Sequence, residues 1–153
     1  MRQNAEQIDA IHKKLVAEKR KDFADAVEND HKMALAWLSV AQQKYDDALA
    51  ILRPLADKED SLGNEPQDIP AREMVAEILM MAKRPEQALA EYEIDLKFNP
   101  NRFNGLYGAA QAAEAAGKQE KATQYYAELV KVCAGSSSDR PELSRAKGLV
   151  AAK

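Results

Sequence analysis

Apolar residues recur at spacings of three and four along most of this 153-residue chain. That is the period of an amphipathic helix, not of a strand. Ala5, Ile8, Ile11, His12 and Leu15 share one face and predict a first helix over 4–19. A nearly all-polar stretch follows at 17–22, and the stripe then resumes as Phe23, Val27, Asp30, Ala34, Trp37 and Ala41. This predicts a second, long helix over about 22–43, with Asp22 as its N-cap. Asp30 falls on the stripe, either at a rim or as a break in the pattern. Tyr45 to Ala56 reads as a third helix, with Ala48, Leu52 and Leu55 inward.

Residues 57–68, DKEDSLGNEPQD, break the period. They are acidic, hold Gly63, Asn64 and Pro66, and read as a loop. A fourth helix starts at Ile69 or Pro70, where proline suits the first turn, and runs to about Ala82. Pro85 opens a fifth, which stops before Asn99-Pro100, because proline lacks an N–H and restricts its predecessor. A sixth helix runs to Ala116, with Gly117 as a left-handed cap, and a seventh to about Cys133. After a Gly-Ser linker at 135–138, Asp139 and Pro141 start an eighth, with Leu143, Ala146, Leu149 and Val150 on one face.

Small and aromatic residues repeat across these helices. Ala88 and Ala122, Tyr92 and Tyr126, and Ala76 and Ala110 are each 34 residues apart. Small residues are needed where two helices cross closely, so the period marks a repeated helix pair. Ala36 and Ala48 occupy the same places in a degenerate first unit, which departs from the pattern at Lys32 and Ser39. Ala48 to Ala88 is 40 residues, and the acidic segment is where the extra six are expected to fit. The organisation expected is one domain over 1–153. It comprises N-terminal helices at 4–43, a degenerate repeat at 22–57 that shares the second of them, an acidic loop at 58–68, repeats at 69–102 and 103–136, and a capping helix at 139–152. A terminal helix with one polar side covers the last apolar surface of such an array.

The pattern LxxAxxxxxxAGKxxxAxxYYxxL, over Leu106 to Leu129, resembles the tetratricopeptide family. The stretches IPAREMVAEILMMAKRPEQALAEYE, NPNRFNGLYGAAQAAEAAGK and DRPELSRA are similar to the C-terminal region of larger bacterial tetratricopeptide proteins. The resemblance implies an all-α fold, a right-handed superhelix of antiparallel helix pairs with about eight helices. It implies a scaffold that holds peptides or proteins, in this chain either whole or as a piece of a larger protein. The Lys and Asn with which some tetratricopeptide domains clamp a C-terminal carboxylate are not matched here, Asn104 apart.

Composition narrows the function. Apolar residues make up 46% and aromatics only 6%, which suits close helix packing through alanine. A net charge of −3 leaves no positive surplus for phosphates, so nucleic acid is not the expected partner. Lys19-Arg20-Lys21, flanked by Glu18 and Asp22, reads as a solvated helix end. No apolar run approaches the roughly 20 residues that span a membrane. The first ten residues lack a signal-peptide core, and a cytoplasmic protein is expected.

Catalytic patterns are missing. His12 and His31 have no partners at metal-ligand spacing, and Cys133, the single cysteine, reads as a buried inert thiol. There is no serine elbow and no glycine-rich phosphate loop. No enzyme activity and no cofactor are expected. The acidic residues Asp57, Glu59, Asp60, Glu65 and Asp68 are a solvated loop or a hard-cation site. The second choice would suit an accessory or sensor domain of a larger enzyme, metal-linked through 57–68.

In tetratricopeptide geometry the first helix of each pair lines the concave face. That face would carry Met33 and Trp37, then Glu73, Met74, Glu77 and Met80, then Tyr107, Gln111 and Glu114. Methionine adapts to varied apolar surfaces, and carboxylates beside it favour a basic residue in the ligand. The expected partner is a peptide or protein with apolar anchors and basic residues. Trp37 and the methionines either line this groove or fill the core between helices.

Overall fold

A computed structural model describes residues 2–62 and 69–151. Eight helices follow in order: α1 (Arg2–Ala17), α2 (Lys21–Ala41), α3 (Tyr45–Leu62), α4 (Ala71–Met81), α5 (Pro85–Phe98), α6 (Phe103–Ala115), α7 (Gln119–Val132) and α8 (Pro141–Ala151). No strand occurs among the described residues. Each helix packs against its sequence neighbours, and α4 also touches α6. The result is a row of antiparallel helix pairs.

The turns after α1, α2, α4 and α6 are built alike. In each, one residue takes a positive φ: Lys19 at 57°, Gln43 at 60°, Lys83 at 58° and Gly117 at 73°. The amide of the next residue reaches back to the carbonyl five residues earlier, as in Arg84 N–H to Leu79 O at 2.9 Å and Lys118 N–H to Ala113 O at 2.8 Å. This is the Schellman turn, which satisfies the last carbonyls of one helix while starting the next.

The turn also moves the start of α2. Arg20 precedes the helix and supplies no side-chain cap, so Asp22 is its second residue and not its N-cap. The reason is local: Arg20 N–H is fixed to Leu15 O at 3.0 Å, and Arg20 O already accepts from Ala24 N–H at 2.9 Å. Helical geometry begins as soon as the turn closes.

The alanines of the repeat pattern lie at the helix crossings. Ala36, Ala48, Ala76, Ala88, Ala110 and Ala122 are fully buried, and Tyr92 and Tyr126 are buried beside them. Leu52, Ile78, Leu79, Leu106 and Leu129 complete the core.

The third helix is longer than its sequence suggests. It runs through Pro54 to Leu62, so 57–62 is helix and not loop. Asp57 and Asp60, three apart and thus on one face, accept from the Arg72 guanidinium at 2.5 and 2.6 Å. Glu91 of α5 accepts from it at 2.6 Å. Glu59 takes the free amide at the start of α4, Ala71 N–H, at 2.8 Å. The acidic turn is held by partners that lie beyond it in the chain. Residues 63–68, with Gly63, Asn64, Glu65, Pro66 and Asp68, lie outside the described residues.

Candidate functional site

The helices α4 and α6 stand side by side with α5 behind them, and the space between them is a half-open cleft. Glu73, Glu77 and Met80 of α4 form one wall. Phe103, Asn104, Tyr107 and Gln111 of α6 form the other. Tyr92 of α5 and Gly108 make the floor, and Arg140 and Glu142, at the start of α8, close one end. The cleft holds about 210 Å³. That is below the range of enclosed small-molecule pockets and suits one or two side chains of a longer ligand.

Two α6 residues reach the cleft because α6 lies so close to α5. A Cβ on Gly105 would meet Leu96 Cδ2 at 3.1 Å and Asp95 Oδ2 at 3.2 Å. Gly105 and Gly108 are one turn apart and let the helix settle onto α5. Phe103 and Tyr107 are thereby carried to the cleft edge. The Tyr107 ring is braced edge-on by Tyr126, with centroids 6.0 Å apart.

Of the nine residues expected on the concave face, the structure brings five together here: Glu73, Glu77, Met80, Tyr107 and Gln111. Met74 is turned into the core and is 7% exposed. Met33 and Trp37, on α2, are half-buried against the core. Glu114 faces the last pair instead: it accepts from Tyr126 Oη at 3.0 Å and Arg145 Nη2 at 2.8 Å. Sequence reading missed Tyr92, Phe103, Gly108, Arg140 and Glu142. The small residues at 105 and 108 were the available signal for a close approach.

The carboxylates of the cleft differ sharply. Glu73 is buried, and Arg102 Nε donates to its Oε2 at 2.7 Å. Glu142 faces Arg140 Nε at 3.5 Å. Glu77 makes no hydrogen bond or ion pair with the described residues, and partial desolvation pushes its carboxyl pKa up, with repulsion from Glu73 adding to it. The Tyr92 hydroxyl is held protonated well above its usual range, chiefly by burial and then by the negative charges of Glu77 and Glu73. Arg140 lies over the Phe103 ring, 3.9 Å from its centroid, and its Nη2 donates to Asn104 Oδ1 at 3.4 Å.

Nothing in this arrangement pairs a nucleophile with a base. Among the described residues no three His, Cys, Asp or Glu side chains are grouped as metal ligands. Asp57, Glu59 and Asp60 are engaged by Arg72 and by the α4 amide. None of the helices among the described residues is long and apolar enough to cross a membrane.

No protein-family model and no curated protein sequence matches the chain. Solved structures do. PcrH from Pseudomonas aeruginosa is 18% identical, with a TM-score of 0.65 over 82% of this chain and 90% of that one. A second PcrH structure, in complex with the chaperone binding region of PopB, gives 18% and 0.64 over 80% and 94%. The Yersinia enterocolitica type III secretion translocator chaperone SycD gives 14% and 0.66 over 81% and 89%. At these identities the likeness fixes the architecture alone: the chain has the tetratricopeptide-like, all-α helical-repeat fold.

Proposed function

We propose that this protein is a non-enzymatic scaffold that grips a segment of another protein in the cleft between α4 and α6. The ligand is an extended or helical peptide with apolar anchors and at least one basic residue. The observation that carries this reading is the make-up of the cleft: aromatic and thioether walls, too small to enclose a cofactor, bordered by carboxylates. Apolar anchors would pack on Met80, Phe103 and Tyr107, and the carboxylates would favour a basic side chain beside them. A further support is that one protein of similar fold was solved in complex with a binding region of its partner.

An array of synthetic peptides tests it. Each carries two leucines in an alanine-glutamine background, with lysine, glutamine or glutamate between them. Lysine peptides are expected to bind best and glutamate peptides not at all. The double variant Tyr107→Ala, Glu77→Lys is expected to lose binding with an unchanged circular dichroism spectrum, since an aromatic anchor alone is worth roughly 2 kcal/mol or more. Equal binding of all three peptide classes, or full binding by the double variant, would overturn the proposal.

A further inference from the structure

The carboxylates on this face are mostly neutralised from within the chain. Glu73 is held by Arg102 at 2.7 Å, Glu114, beyond the cleft, by Arg145 at 2.8 Å, and Glu142 Oε2 lies 3.5 Å from Arg140 Nε, an ion pair without a hydrogen bond. Glu77 differs, having no such partner among the described residues. It stands on the wall of a cleft whose lining also includes Met80, Tyr92 and Tyr107. The chain also places a cation of its own in the same cleft, Arg140 against Phe103. Arg140 thus already holds a positive group against one aromatic wall of the cleft, and Glu77 adds a carboxylate with no cation of its own among the described residues.

The geometry points to a subsite for one lysine side chain, its ammonium on the Glu77 carboxylate and its alkyl stem along Met80 and Tyr107. This rests on the cleft being the binding face, and it names the group that the face selects. Ammonium fits better than guanidinium for a geometric reason. The acceptors that line the cleft include the Glu77 carboxylate, the Tyr92 hydroxyl and the Gln111 amide oxygen, and these come from three different helices. A compact ammonium with three rotatable donors can meet acceptors that are not coplanar. A guanidinium can chelate the two Glu77 oxygens in one plane, as Arg102 does with Glu73, but that geometry leaves the Tyr92 and Gln111 acceptors unmet. The four-carbon stem of lysine would cover apolar surface while its head reaches the charge.

The test needs no knowledge of the natural ligand. The full chain is titrated with n-butylammonium, n-butylguanidinium and 1-butanol, and the aromatic and methyl NMR signals are followed. Butylammonium is expected to give saturable shifts at Tyr107, Tyr92 and Met80, with affinity about tenfold or more above that of 1-butanol. Butylguanidinium is expected to bind more weakly than butylammonium at the same signals. Glu77→Gln, a near-isosteric change that removes the charge, is expected to remove the preference for butylammonium while circular dichroism and melting stay as in the parent. Equal shifts from 1-butanol, no saturable shift, or an undiminished preference in Glu77→Gln would overturn the subsite. Failure of the peptide reading has a different signature: butylammonium titrates as expected, while no lysine peptide on the array binds more tightly than butylammonium itself.

Discussion

Gly108 of α6 rests directly on the ring of Tyr92 in α5: a Cβ at Gly108 would fall 2.5 Å from the tyrosine oxygen and 2.6 Å from its Cε1. Tyr92 is 5% exposed and has little room to yield. Gly108→Ala is therefore expected to cost about 1–3 kcal/mol by overpacking. It should also weaken ligand binding, because Tyr92 is the floor of the cleft. Shortening the floor relieves the clash, so Gly108→Ala with Tyr92→Leu should cost less than the sum of the two single changes. A double-mutant cycle in urea measures this coupling. Additive penalties would mean that the two residues are not in contact.

A second expectation concerns Arg72, whose side chain is 8% exposed and binds Asp57, Asp60 and Glu91. Removing the cation leaves three carboxylates facing one another at the joint of α3, α4 and α5. Arg72→Met should lower the unfolding free energy by about 3 kcal/mol, the usual size for breaking one side of a buried ion pair. Lysine at this position keeps the charge but cannot donate to three partners in one plane, and should recover part of the loss. Helical content should fall as well, if the last turn of α3 depends on this joint. Unchanged helicity and midpoint in Arg72→Met would dismiss the arginine as the reason that 57–62 is helical.

Asp95 supplies a pH-dependent test. It is 1% exposed, its Oδ1 accepts from Asn99 Nδ2 at 2.9 Å, and its Oδ2 has no hydrogen-bond partner among the described residues. Burial raises its pKa from 3.8 to about 6; the negative charge of Glu73 and, less, of Asp60 act the same way, against the Asn99 hydrogen bond and Arg102. The folded chain thus holds this proton more tightly than the unfolded chain does. Stability falls as pH rises from about 4 to about 6, and above that range the full cost of the buried charge is present. Asp95→Asn removes the charge, at the expense of an unpaired amide N–H. It should stabilise by about 1–2 kcal/mol at pH 7.5 and by much less at pH 4.5. Melting curves at the two values decide it; an equal gain at both would show that the charge is not the cause.

The helices and their crossings were legible because helix packing is a periodic demand. Ala88, Ala122, Tyr92 and Tyr126 announce themselves at a 34-residue spacing, and Gly117 marks its own turn. The end of α3 was not legible. Residues 57–62 have a loop's composition, and what holds them in a helix is Arg72 and the α4 amide, beyond the acidic segment. In the site, Glu77, Met80, Tyr107 and Gln111 follow from the repeat register. Met74 does not, because α4 is buried from Ala71 to Ala76, Arg72 and Glu73 included, so polarity does not separate groove from core there. Arg140 was hidden for another reason: it reaches Phe103 from a connector 37 residues further on.

The recurring turn at Lys19, Gln43, Lys83 and Gly117 bears on how the chain comes to be folded. Each reversal is closed by hydrogen bonds within six residues, so a pair of helices can dock without waiting for distant chain. Contacts between sequence neighbours dominate, which is the condition for rapid folding, in microseconds to milliseconds for helical proteins of this kind. During synthesis the early pairs can settle while later ones are still being made. The α4–α6 cleft would then be assembled only when α6 arrives, and a nascent chain would lack the proposed binding face until that helix has emerged.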